Sequence, residues 1–112
     1  VVLCPRSNVN LHNKLPDIDA ILAAGITPAL GTDSLASCET LNIMDEMAYI
    51  RMQRTDLPPE TVFAMGTLYG ARALGISHFT GSLIGGKNAD IVYCNLEPTD
   101  PHQLMERVTA NE

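Results

Sequence analysis

Ile26-Thr27-Pro28-Ala29-Leu30-Gly31-Thr32-Asp33-Ser34 passes from a short apolar run into a loop of small residues that extends to Ser37. An apolar run this short, bounded by turn residues, suits a strand buried on both faces of a parallel sheet. An aspartate directly after such a strand has its backbone fixed by the sheet and its side chain on the rim, where parallel α/β folds bind ligands. A carboxylate there can bind a divalent metal or act as a general base. The commoner fate of a loop aspartate is an Asx-turn or a helix cap. Spacing alone leaves Asp33 open to either.

Working outward, Val1 to Cys4 is a similar apolar run closed by Pro5, followed by a polar loop from Arg6 to Leu15 that gathers Ser7, Asn8, Asn10, His12 and Asn13. Pro16 and Asp17 then offer a helix start, Ile18, Ile21 and Leu22 recur at helical spacing, and Gly25 supplies the stop. After the Gly31–Ser37 loop a long helix is expected from Glu39 to Arg54. Leu41, Met44 and Ala48 line one face beside Ile43, Met47 and Ile50, leaving Asp45, Glu46, Arg51 and Gln53 for solvent. Two consecutive βα units with parallel strands are the simplest reading. Leu57-Pro58-Pro59 breaks the chain before a helix over Glu60–Met65. Thr67 is then placed to cap a short helix through Leu74 that Gly75 ends. Beyond Gly75 the pattern changes to a hairpin-like Ser82-Leu83-Ile84 and a β-strand from Ala89 to Cys94. Pro98 and Pro101 loosen the tail ahead of a weak helical pattern, Leu104 to Val108.

With 112 residues, 46% hydrophobic and 18% charged, the chain is globular in composition and holds one domain's worth of residues at most. Aromatics make up only 4% and tryptophan is absent, so the core rests on Leu, Ile, Val, Ala and Met, which favours an α/β class. The net charge of -6, with basic residues scattered singly, provides no stripe for nucleic acid. No apolar stretch approaches the roughly 20 residues that span a bilayer, and nothing in the sequence resembles an export signal. Cys4, Cys38 and Cys94 are odd in number and lack a CxxC pair, so a disulfide framework is not indicated and a reducing, cytoplasmic setting fits.

The string CPRSN, then GITPALGTDSLAS, then ETLNIMDEM, in this order and spacing, closely resembles barrel strands seven and eight of the amidohydrolase superfamily, nearest to its chlorohydrolase and deaminase branch. Cytosine, S-adenosylhomocysteine and aminodeoxyfutalosine deaminases belong to that branch. LPPETVFAMGTLYGARALG is similar to the family's closing helices, and TGSLIGGKNADIVYCNL to its return into a small β-sandwich whose strands come from both ends of the full chain. The resemblance implies the last two βα units of a metal-dependent (β/α)8 TIM barrel in residues 1–75, with part of the composite β-sandwich and the tail in 76–112. It implies hydrolysis of a non-peptide C–N bond, with deamination of a purine, adenosyl or related cyclic amidine as the leading case. Asp33 then corresponds to the strand-eight aspartate, which ligates one divalent metal, zinc first with iron or manganese as alternatives, and relays protons from the activated water.

Other rim residues carry weaker expectations. Arg6 and Asn8 lie on the strand-seven loop, where Arg6 either contacts substrate or forms a solvated salt bridge and Asn8 contacts substrate or shapes a turn. Ser34 either orients Asp33 or caps the next helix. His12 has the ring that most often binds zinc, although a lone loop histidine is more often solvated. His78 and His102 lie away from both strand ends.

The family's HxH pair and its single histidines after strands five and six have no counterpart here, and one carboxylate cannot hold a catalytic metal. The chain opens without methionine on an apolar run, the start expected of a truncated product. Two strands cannot close a barrel of eight, so activity is expected only in a longer parent, which family precedent makes a homo-oligomer. The alternative is a non-catalytic scaffold with an amidohydrolase fold.

Overall fold

The computed structural model describes residues 1–97 and 100–111, so Pro98 lies outside the described residues. In chain order the elements are β1 (Val2–Leu3), α1 (Pro5–His12), α2 (Ile18–Ala23), β2 (Ala29–Leu30), α3 (Ile43–Gln53), α4 (Pro59–Gly66), α5 (Leu68–Ala73) and α6 (Pro101–Thr109). The strands pair in parallel, as expected, with Val2 opposite Ala29 and Leu3 opposite Leu30. The amides of Ala29 and Gly31 donate to Val1 and Leu3 carbonyls at 3.0 and 2.8 Å. Pro28 has no amide to add to the ladder and Pro5 turns the chain away, which keeps both strands shorter than the apolar runs around them. Gly31 is needed for the strands to approach: a Cβ there would stand 2.9 Å from Val2 Cγ1 and 3.3 Å from Cys4 Sγ.

The polar loop expected over Arg6–Leu15 is corrected to a helix through His12. Pro5 stands at the first helical position, where its fixed φ suits the turn and its missing amide costs nothing. Behind it the side chains of Arg6, Ser7, Asn8 and Asn10 hydrogen-bond to other protein groups, and Asn13 ends the helix in the left-handed region, its amide donating to Val9 O. Helix α2 begins as expected, with Asp17 Oδ1 accepting from the Ala20 amide at 3.0 Å, and Gly25 beyond it has φ 72°. Helix α3 starts later than Glu39 because the Asn42 side chain caps the Met44 amide at 3.0 Å. Thr67 does not cap α5; its hydroxyl donates back to Phe63 O at 2.8 Å and closes α4 instead.

Leu3, Ile18, Leu30, Met47, Ile50, Leu57, Val62 and Met65 form the core. Each such side chain withdrawn from water contributes about 1.5–3 kcal/mol. Helices cover the side of the sheet that carries Leu3, while Val2 on the opposite side is 56% exposed. Glu46, expected on the solvent side of α3, is 0% exposed. Its spacing from Ile43 and Ile50 places it within the apolar stripe, where a charged partner from α1 compensates the burial.

The strand expected over Ala89–Cys94 and the hairpin at Ser82–Ile84 do not form: among the described residues β1 and β2 are the only strands. A strand needs a ladder partner, and here Ile91, Val92 and Tyr93 remain exposed. The preceding turn is held by Lys87, whose ammonium donates to Ser77 O, Thr80 O and Ser82 Oγ. Pro101 starts α6 rather than loosening the tail, with Asp100 Oδ1 accepting from the His102 amide at 2.9 Å. Helix α6 packs against α3 and α4.

Candidate active site

Two strand ends meet at the rim. From β2 the chain passes through Gly31 and Thr32 to Asp33, which has φ 62°, a left-handed conformation that aspartate adopts more readily than most residues. From β1 it enters α1, whose first turn brings Ser7, 2% exposed, beneath the aspartate. Ser7 Oγ donates to Asp33 Oδ2 at 2.7 Å. Ser37 Oγ lies 3.0 Å from the same oxygen and 3.2 Å from Ser34 O. Among the described residues Oδ1 accepts no hydrogen bond. Both hydroxyls stabilise the anion, Ser7 more than Ser37, and hold the Asp33 carboxyl below the ordinary carboxylate range. The nearby Cys4 thiol is pushed up, chiefly by burial and then by the charges of Asp33 and Glu46.

The loop that presents Asp33 is closed by local contacts. Cys38 Sγ lies 3.1, 3.2 and 3.3 Å from the carbonyl oxygens of Thr32, Ser34 and Thr40. Asn10 Nδ2 on α1 donates to Ser37 O at 3.1 Å and ties helix to loop. Ser34 turns away from the carboxylate, its Oγ accepting from the Ala36 amide at 3.3 Å, so its contact is with the turn.

Arg6 is committed within the protein. Its Nε donates to Glu46 Oε1 at 2.8 Å, while Nη1 donates to Thr40 Oγ1 and Nη2 to Thr40 O at 2.9 and 2.8 Å. Asp45 Oδ2 stands 3.6 Å from Nη1. Asn8 turns back on its own helix, its Oδ1 accepting from the Cys4 amide at 3.2 Å. His12 is exposed at the last position of α1. It lies five residues beyond Ser7, about 7.5 Å farther along the helix axis.

Asp33 was the legible part of this arrangement. The sequence alone does not mark Ser7, Ser37, Thr40 or Glu46 as members of it. The available signals were Ser37 four residues after Asp33, Pro5 opening a helical turn with Ser7 on it, and Glu46 set between apolar residues at helical spacing. Among the described residues no group of three or more His, Cys, Asp or Glu side chains could hold a metal ion. An anionic carboxylate with one oxygen anchored and the other free of hydrogen bonds fits one ligand of a divalent cation, and further ligands are required.

A model of the Amidohydrolase family matches residues 1–111. The chain is 33% identical over 111 residues to a 5-methylthioadenosine/S-adenosylhomocysteine deaminase of Moorella thermoacetica, a match covering 93% of this chain and 26% of that protein. It is 43% identical over 75 residues to an aminodeoxyfutalosine deaminase of Deinococcus radiodurans, covering 67% of this chain and 18% of that protein. Among solved structures, an adenosine deaminase of Xanthomonas campestris with bound zinc superposes with a TM-score of 0.70 at 35% identity, over 80% of this chain and 22% of that one. The chain thus spans about a quarter or less of the length of these proteins.

Proposed function

Because this chain belongs to the amidohydrolase family and has the fold of part of its barrel hydrolases, we propose that it supplies the seventh and eighth strand ends of a metal-dependent deaminase acting on a purine or adenosyl substrate. On this reading residues 76–112 contribute part of a small β-sandwich domain and the C-terminal tail, the sandwich being completed by chain outside this sequence. The observation that carries the reading is Asp33, anionic at neutral pH, standing at a strand end with Oδ2 anchored by Ser7 and Ser37.

Asp33 would be the carboxylate ligand of one divalent metal, zinc by analogy with the similar deaminase. A metal held there supplies Lewis-acid chemistry that lowers the pKa of water toward about 7. The chain's own contribution is a carboxylate that receives the proton of the attacking water and returns it to the leaving amine, as water adds to an amidine-like ring carbon and ammonia departs. Ser7 and Ser37 keep that carboxylate oriented and ionised, and both properties matter before substrate arrives. Arg6 supports this rim through Glu46 and Thr40 rather than by touching substrate, and Asn8 and Ser34 shape the backbone on either side. No helix among the described residues is long and apolar enough to cross a membrane, and the free cysteines suit a reducing, cytoplasmic setting.

The test is ammonia release by the zinc-loaded full-length protein across purine, adenosyl and pyrimidine substrates. Release is expected with an adenosyl or purine substrate, and Asp33→Asn should lower turnover by about 100- to 10,000-fold. A folded full-length protein that binds no metal and releases no ammonia would replace this reading with a non-catalytic scaffold.

A further inference from the structure

Among the described residues Glu46 is the only fully buried carboxylate, and both of its oxygens are directed at a single residue of another helix. Oε2 accepts from the Arg6 backbone amide at 3.1 Å and Oε1 from Arg6 Nε at 2.8 Å. The first amides of a helix have no partner within it, and here one of them is satisfied by a side chain forty residues away in sequence. Stability alone is a weak reason for such a pair, since replacing a buried ion pair with apolar side chains of the same volume is often neutral or better.

The residue that follows Arg6 supplies the other reason. Ser7 donates to Asp33 Oδ2 at 2.7 Å, and a hydrogen bond of that length weakens steeply when donor and acceptor are misaligned. Its geometry depends on where the first turn of α1 sits relative to β2. Glu46 ties that turn to α3, whose neighbouring Met47 and Ile50 are locked in the core. Thr40 grips the far side of the same guanidinium from the loop that carries Asp33. The first turn of α1 is therefore fixed from two directions.

We propose that Glu46 is a positioning residue for the Asp33 carboxylate, acting through the first turn of α1 and the Ser7 hydroxyl. The proposal rests on the reading of Asp33 as a metal-binding and proton-relaying group, and it extends that reading to a residue that touches neither metal nor substrate.

The experiment is a double-mutant cycle in the full-length protein, read both as turnover and as zinc affinity by competition with a chelator. Glu46→Gln keeps the shape of the side chain and removes its charge. Expected is a loss of about 10- to 100-fold in turnover or zinc affinity, with KM little changed. On a Ser7→Ala background the same substitution should add almost nothing, because the path it acts through is already cut. Should Glu46→Gln fail to fold, Glu46→Asp serves, since it keeps the charge but withdraws the oxygens by one methylene. Losses that multiply in the double variant would overturn the proposal, as would unchanged turnover and zinc affinity in a folded Glu46 variant. A wild type that binds zinc but releases no ammonia sinks only the deaminase reading, and the cycle is then decided by zinc affinity. A wild type that binds no zinc sinks both.

Discussion

After β1 the chain enters a helix at once, whereas after β2 it runs without regular structure from Gly31 to Asn42. The helical end is anchored by Arg6 and Glu46 and supplies a donor, Ser7; the irregular end carries the acceptor, Asp33, in a left-handed backbone. An irregular loop can aim a carboxylate outward because no helical ladder constrains it; here Ser37 and Cys38 close the loop locally, and the shorter of the two bonds to the carboxylate comes from Ser7 on the helical end. The difference teaches that the orientation of Asp33 depends substantially on its neighbour across the sheet.

The strongest way to break this contrast is to remove the anchor from the helical end. Arg6→Ala strands the buried charge of Glu46 and is expected to cost about 3–5 kcal/mol, measured as a lower urea midpoint of the full-length protein. Arg6→Lys should recover only part, because an ammonium cannot replace the guanidinium fork that meets Glu46 and Thr40 together. If Arg6→Ala left the midpoint where it was, α1 would be held by its apolar contacts alone and the contrast would vanish.

A smaller effect is expected where the two ends are pressed together. Gly31→Ala places a methyl 2.9 Å from Val2 Cγ1, and overpacking of this kind costs about 1–3 kcal/mol. The urea midpoint checks it, and a neutral result would mean that Val2, exposed on its outer side, simply rotates away.

The smallest effect belongs to an ion pair outside both ends. Arg54 holds the Asp56 carboxyl down to about 2 from 3.8, chiefly through its hydrogen bonds. A carboxyl depressed in the folded state stabilises the protein above its unfolded value, and that share is lost as the pH falls from 3.8 toward about 2. The pair is exposed and screened, so Asp56→Asn should flatten the melting temperature only slightly over that acid window and leave the neutral value nearly unchanged. A large change at neutral pH would show that this corner carries more of the fold than its exposure implies.

The sequence made the parallel strands, α2 and Asp33 legible because each depends on local signals: short apolar runs, an Asp17 cap, a glycine stop and a carboxylate at a strand end. Helix α1 was hidden by polar residues that resemble loop composition, and only Pro5 marked its start. The charge of Glu46 points to solvent although its spacing sets it among Ile43, Met47 and Ile50; the Arg6 partner that reverses this lies forty residues away. Ser7 and Ser37 carry no signal by type, since a serine hydroxyl gains meaning only from the acceptor opposite it. The segment Ala89–Cys94 keeps strand composition without a partner among the described residues, and no local pattern supplies a partner.

The two-residue register of β1 on β2 also limits how this region can change over time. Each residue advances a strand by about 3.3 Å and reverses its facing. Adding or deleting one residue between Leu3 and Ser7, or between Leu30 and Asp33, would displace Ser7 or Asp33 relative to the paired strands and move a 2.7 Å contact out of reach. Apart from Gly31 and Arg6, whose roles are fixed by close packing and by Glu46, side chains along these spacers are freer to change than the spacer lengths, and insertions are expected to collect in the exposed stretch beyond Gly75.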